Sequence, residues 1–500
     1  MHINRAVALL ALAAVFAGGW LLGGRGGTTV IDDGARRVAY GGGAAAVTQR
    51  RVSAVAALTA DAPVILVEAG DSIQATVNAA PPGTTLRILP GVYRETVYID
   101  KDGIRLIGVI DGGEWPTLDG EGRLNDAVLY SGNNIVVENL RIRDYKGNAI
   151  MGQAGNNFEI RNNLIIDSGV YGVFPQLGRN GIVEGNVISG IADAAIYVGM
   201  SDNVHVAHNE VFDSVAGIEI ENSRHAIVEN NYVHHNTGGI LAFITPGLPI
   251  KTTVDVIIRD NFIVDNNTPN FGAPGSTVSG IPAGTGVLIM AADDVVIEDN
   301  VITGNRTAGI LLVDHANAAN VTADPEADPV PDRVAILDNL MLNNGYDTID
   351  AVRALMLAEL KTGPVDIVRA GAARDGCVRN RQRYRSVGLG DFADCAFDHT
   401  DNTVSYLLPE PVAPREIDPS TQGKITYLGI CTGCHSYSNL LIGPPVQTIQ
   451  ATYADRPEAL AAYIADPVKK WPELPEMPPQ DYLAEEVRLA VARYMLGVGN

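Results

Sequence analysis

The chain has 500 residues, and 36 Lys and Arg stand against 58 Asp and Glu, a net charge of −22. That balance argues against nucleic acid or acidic lipid as a partner, because both demand clustered Lys and Arg. With 46% hydrophobic and 19% charged residues a large core can form and wholesale disorder is excluded, while 53 Gly point to many tight turns. At ~150 residues per domain, two to four domains are expected.

Arg5 precedes an uncharged apolar run from Ala6 to Gly24, closed by Arg25. The run is long for a secretory signal, whose apolar stretch spans ~7–15 residues, and barely sufficient for a membrane span of ~20. Residues 1–25 therefore read as a signal anchor or a signal peptide. Either places the rest of the chain outside the cytoplasm, and the expected location is the periplasm with an anchor in the inner membrane. Residues 26–62, rich in Gly and Ala, read as a flexible linker.

Residues 63–347 are repetitive. A Val-x-x-Asn-x-Ile pattern recurs with its Asn slot filled by Leu140, Asn163, Asn186, Asn209, Asn231, Asn261, Asn300 and Asn339, at gaps of 23, 23, 23, 22, 30, 39 and 39. Short β-branched segments at this period, separated by Asn, Asp and Gly, predict a parallel β-helix. A leucine-rich repeat has a similar period but needs a Leu framework that is missing. The Asn side chains should stack inward at one corner. Four residues later the slot reads Asp144, Asp167, Gly190, Asp213, His235, Asp265, Gly304 and Asn343, the residue types a left-handed or side-chain-capped turn requires. Periodicity thus explains the row Asp167, Asp213 and Asp265, which otherwise resembles a line of catalytic carboxylates. His235 shares that slot and His208 sits beside a ladder Asn, so both are expected as exposed turn residues. From Ala69-Gly70-Asp71-Ser72 to Gly91-Val92-Tyr93 the chain resembles the opening coil of the right-handed β-helix superfamily. That superfamily includes pectate lyases, mannuronan epimerases and periplasmic copper-maturation proteins, and the resemblance implies the fold rather than any one activity. About eleven coils at ~4.8 Å each would make a rod roughly 50 Å long.

One strand per coil presents two outward columns. The first reads Met151, Phe174, Tyr197, Glu219, Leu241, Leu288, Leu311, and the second Gln153, Gln176, Gly199, Glu221, Phe243, Met290, Val313. A solvated strand would be polar here. Three extra stretches, 245–252, 268–284 and 316–331, leave from the ends of this strand, and they are expected to fold over the apolar face. The remaining readings are a docking surface or a substrate cleft. Glu219 and Glu221 break the columns together, ~7 Å apart on one face. They are the candidates for acid/base chemistry on a sugar, with Tyr197 and His225 as neighbours to look for. The calcium-and-base pattern of pectate lyases and the Asp-Pro-His context of mannuronan epimerases are both missing.

Residues 348–408 read as a helical and irregular cap in which Cys377 and Cys395 form a disulfide, and the Pro-rich stretch 409–419 reads as a linker. The strongest motif follows in residues 420–500: Cys431-Thr432-Gly433-Cys434-His435, the Cys-x-x-Cys-His signature of covalent haem c attachment. Zinc would require further Cys or His after His435, and a thioredoxin-like pair would require a βαβ context. Gly423 and Tyr427 before the motif, Gly443-Pro444, Glu458 to Ile464, Met477-Pro478-Pro479 and the helical spacing of Leu483, Val487, Val491, Tyr494 and Met495 resemble a class I c-type cytochrome. The resemblance implies one covalent haem c on Cys431 and Cys434, its iron held by His435 and Met477, with Met495 the alternative. Ser436 departs from the Gly usual there.

The expected fold is therefore mainly β, a right-handed parallel β-helix followed by a small all-α c-type cytochrome domain. The expected function is extracytoplasmic electron transfer to a redox partner protein, with the β-helix binding a polysaccharide or protein client. The alternative is a β-helix enzyme of the polysaccharide lyase or epimerase type that carries a cytochrome domain. A scaffold of the copper-maturation type is a third reading.

Overall fold

In a computed structural model the described residues are 31–32, 35–36, 63–400, 412–415 and 421–499. The apolar run of residues 6–24, most of the linker that follows it, and most of the Pro-rich stretch lie outside them.

The repeat builds a solenoid of three parallel sheets, of twelve, ten and eleven strands. One coil shows the pattern: Arg179–Glu184 lies in the first sheet, Val187–Ser189 in the second and Ala194–Gly199 in the third. Each strand pairs in parallel with its equivalent one coil away. Ile150, Val173, Ile196, Ile218, Ile240, Val287 and Ile310 are in register and stack as a fully buried file inside the third sheet. β-branched side chains suit this packing, because each coil buries its inner face only against its neighbours.

The corners follow from the polar slots. The Asn163 side chain donates to Asn186 Oδ1 at 3.0 Å and to the Val137 carbonyl at 3.1 Å, while Asn186 Oδ1 also accepts the Asn163 backbone N–H at 3.0 Å. The same bonds repeat up to Asn339. A buried amide with every group satisfied by the next coil fixes register without an unpaired polar atom. A second ladder, not singled out in the sequence, runs from Ser214 through Asn236, Asn266, Asn305 and Asn344 at the next corner. The eight slots from Asp144 to Asn343 all have positive φ, as expected, and so does His208. Asp, Asn and Gly bear this conformation at least cost.

The solenoid runs further than 347. Ile367–Ala370 and Ser386–Val387 extend the third sheet and Cys377–Val378 the first. The helix Asp350–Ala358 is inserted before them, with Val352 and Met356 buried. The ladder residues stop at Asn339 and Asn344 while strand pairing continues, which is why periodicity placed the end too early. Cys377 and Cys395 are bridged across this last coil.

Residues 421–499 form a separate helical unit. Gln422–Thr426 runs into a wider-turned segment, Tyr427–Cys431, and Val446–Tyr453, Pro457–Ala465 and Glu485–Gly497 follow. Tyr427, Ile449, Leu460, Ile464, Val491 and Met495 belong to its own core. A Cβ on Gly423 would lie 2.4 Å from the Ala490 carbonyl oxygen, so glycine is what lets the first and last helices cross so closely.

Candidate functional site

The helical unit docks on the outward face of the third sheet, so both columns are buried there, including Gln153, Gln176, Glu219 and Glu221. The Gln176 amide donates to Thr432 Oγ1 at 2.9 Å and the Gln153 amide to the Tyr482 hydroxyl at 2.9 Å. The insertions take part as well. Tyr437 N–H donates to the Gly247 carbonyl at 2.9 Å, and Asn439 Oδ1 accepts the Thr322 N–H at 2.8 Å. The apolar face is thus a docking surface as well as one that loops cover. Val412 and Arg415 run along the rod, held by the side chains of Asn157 and Asn133.

Inside the helical unit a largely apolar cavity holds about 1080 Å³ of empty space, part of it open to solvent. Cys431, Cys434, His435, Met477 and Met495 all line it. The turn forms because the Cys434 and His435 N–H groups donate to the Cys431 carbonyl at 3.1 and 2.9 Å. The two cysteines are free, and burial pushes both thiols up to about 12. Burial lowers the His435 pKa, against the pull of the Pro444 carbonyl 2.8 Å from Nδ1. That contact sets the tautomer, with the proton on Nδ1 and the lone pair on Nε2. A Cβ on Gly443 would fall 2.3 Å from His435 Cε1, so the ring has no space to move that way. Lys469, Lys470 and Trp471 also line the cavity, a feature that sequence spacing did not single out. Two thiols, one oriented imidazole and a thioether around one apolar cavity fit a covalently attached planar macrocycle.

On the rod side of the interface, a second cavity is lined by Asp193, Glu219 and Glu221 from the solenoid and by Gly433, Leu441 and Ile442 from the helical unit. Tyr197 donates its hydroxyl to Glu221 Oε2. Asp193 Oδ1 and Glu219 Oε1 have no hydrogen-bond partner among the described residues. Burial, then the neighbouring acids, push the Asp193 and Glu219 carboxyls well above their usual range. Burial raises Glu221 as well, against the pull of the nearby Thr245 hydroxyl and the Tyr197 hydrogen bond. The expected pair thus comes together with Tyr197 and with Asp193, which the columns did not reveal. His225 lies elsewhere, 2.8 Å from Asp255.

A family model for the right handed beta helix region matches residues 123–245, and with the parallel sheets it identifies the rod as a right-handed parallel β-helix. No curated protein sequence matches the chain. Among solved structures, the chain is similar to an Azotobacter vinelandii mannuronan C-5 epimerase A-module at 14% identity and TM-score 0.42, over 67% of this chain and 90% of that one. A Paenibacillus alginate lyase is 15% identical at TM-score 0.44, over 57% of this chain and 99% of that one. An Arthrobacter chlorophenolicus DFA-IIIase is 12% identical at TM-score 0.42, over 67% and 100%. At these values none carries an activity across to this chain.

The expected cytochrome, haem, iron and membrane character is corrected to what the comparisons support, a parallel β-helix repeat. Among the described residues, no three His, Cys, Asp or Glu side chains gather to hold a metal ion, and no helix is long and apolar enough to cross a membrane.

Proposed function

We propose that the helical unit carries one covalently attached haem c and that the β-helix serves as the platform on which this redox module is docked. The observation that carries the reading is the single cavity shared by Cys431, Cys434, His435 and Met477. Bound there, the haem would supply one-electron exchange with a redox partner protein. The chain's own residues do the rest. Cys431 and Cys434 offer thiols for thioether bonds, and the Pro444 carbonyl aims the His435 ring. Met477 would offer a thioether from the same largely apolar cavity. With His435 and Met477 both offered to it, the group would supply electron exchange and no site for substrate. The Cys377–Cys395 bridge agrees with an oxidising, extracytoplasmic setting.

The optical spectrum of the purified chain, oxidised and reduced, tests this. A low-spin c-type spectrum is expected, lost in His435→Ala. Replacing Met477 should make the iron bind carbon monoxide, whereas replacing Met495 should not. A protein purified from a haem-maturing host without any haem band overturns the reading.

A second reading, a β-helix enzyme acting on polysaccharide, is favoured by the carboxylates Asp193, Glu219 and Glu221 on the sheet face. Glu219 is 1% and Glu221 3% exposed beneath the helical unit, so a polymer reaches them only if that unit leaves. Cleavage or epimerisation of a uronate polysaccharide by the intact chain, abolished in Glu219→Gln, would favour this reading.

A further inference from the structure

The two cavities are separated by a thin wall. Ile442 lines both, and the consecutive residues Gly433 and Cys434 face one cavity each. On the rod side of that wall sit three acids, 3%, 1% and 3% exposed for Asp193, Glu219 and Glu221, with an unpartnered oxygen on each of the first two. No Lys, Arg or His lines their cavity. The remaining titratable groups around it are phenols and a thiol. Tyr171 and Tyr197 stand on neighbouring strands, their rings 4.8 Å apart. Cys434 lies next to Gly433 on the other cavity, with Asp126 and Tyr482 beyond, and the loop at Ser276 and Thr277 adds only neutral hydroxyls. His435 lines the other cavity, with Nδ1 committed to the Pro444 carbonyl.

Carboxylates buried together without a cation cannot all be ionised, since each charge disfavours the next in a low-dielectric site. The cluster therefore has neighbouring protonation states that differ by one proton. A unit of negative charge added one wall away shifts that balance toward the protonated form.

We infer that the Asp193–Glu219–Glu221 cluster takes up a proton when a haem held by Cys431, Cys434 and His435 gains an electron. The inference rests on the haem reading above. The electron comes from a one-electron donor protein, or from an electrode in the test. The proton comes from water and forms one O–H bond on a carboxylate oxygen. On oxidation both leave again. The role of the cluster is to couple charge and proton movement, so the three acids are positioning residues and not catalytic ones.

The experiment is a spectroelectrochemical titration of the full haem-loaded chain across pH. The midpoint potential is expected to fall as pH rises, by up to tenfold in the reduction equilibrium per pH unit, which is 59 mV for one electron. The Asp193→Asn, Glu219→Gln double variant should keep the reduced spectrum and flatten the slope. Because that variant alters a buried site, the unmodified protein supplies a second readout: its redox-difference infrared spectrum should gain a protonated-carboxyl band on reduction. A haem spectrum with a pH-independent potential and no such band overturns the inference and leaves the haem reading standing. A slope unchanged in the double variant overturns it as well. A chain with no haem spectrum overturns both.

Discussion

Gly433 packs closely against the rod, and replacing it with Ala tests the docking directly. A Cβ there would lie 2.3 Å from Phe174 Cζ and 2.7 Å from Gln176 Oε1. Phe174 cannot swing aside. It is fully buried, its ring 4.5 Å from Tyr171 and 4.6 Å from Tyr197, on a strand paired on both sides. The turn of the helical unit must lift instead, which strains the Gln176–Thr432 bond of 2.9 Å. Overpacking of this kind costs about 1–3 kcal/mol and a lost hydrogen bond about 1. Docking should weaken by about 2–4 kcal/mol, raising the undocked fraction at least about thirtyfold. Amide hydrogen exchange reads this locally: strand Tyr171–Gln176 and residues 431–443 should exchange faster, while the helical core around Val491 stays protected. Phe174→Leu in the same chain should restore part of the protection by making space. Unchanged exchange in Gly433→Ala would refute the claimed fit, and so would a double variant no better protected than the single one.

Other consequences follow from the rod. Asn231→Ala removes the acceptor of two Asn209 donors and the donor to Val206 and Asn261, each at 3.0 Å, and should cost about 3 kcal/mol or more in urea unfolding followed by circular dichroism. Asp213, with φ 51, should tolerate Gly and lose about 1 kcal/mol on replacement by Val, read by thermal melting. Burial alone would raise the Glu229 carboxyl, but the His205 hydrogen bond and the Arg259 charge outweigh it and hold the group at about 2 against an ordinary 4.5. A depressed carboxyl stabilises the fold above its unfolded value, so this contribution is complete above pH ~4.5 and fades as pH falls toward 2. Glu229→Gln should flatten acid unfolding in that window. Reducing Cys377–Cys395 should loosen only the last coil, by about 3 kcal/mol in the loop-closure estimate, seen as proteolysis there before the ladder region.

The rod was legible because its corners need particular residues at a fixed spacing. Asn163 to Asn339 each complete a hydrogen-bond set that no other side chain of that size supplies. The coil at 367–387 was not, because no ladder Asn marks it and the helix Asp350–Ala358 breaks its spacing. Glu219 and Glu221 stood out as breaks in apolar columns. Asp193 did not, since it sits at the corner before its strand, outside any column. Gln153 and Gln176 were visible as polar exceptions, yet their purpose depends on Tyr482 and Thr432, more than two hundred residues away in sequence. Thr432 itself was hidden by the motif, where its position is one of the unspecified two.

The acid cluster is where stability and function part. Within the two columns, positions equivalent to Glu219 and Glu221 carry Leu241 and Phe243 one coil on, then Leu288 and Met290, all buried. A chain shaped by packing alone would place apolar side chains there too, since burying unpaired acids costs several kcal/mol relative to a hydrophobic equivalent. The face has the apolar alternative in every later coil, so the acids contribute no packing that Leu and Phe would not improve. Their cost falls beside the Cys-x-x-Cys-His turn, and Gly433 is the residue that lets the turn come so close. Local sacrifice of stability at a contact of this kind marks a functional position. Glu219→Leu with Asp193→Ala should therefore stabilise the docked chain while removing the pH dependence of its redox potential. A variant that is less stable would mean that the acids serve the fold.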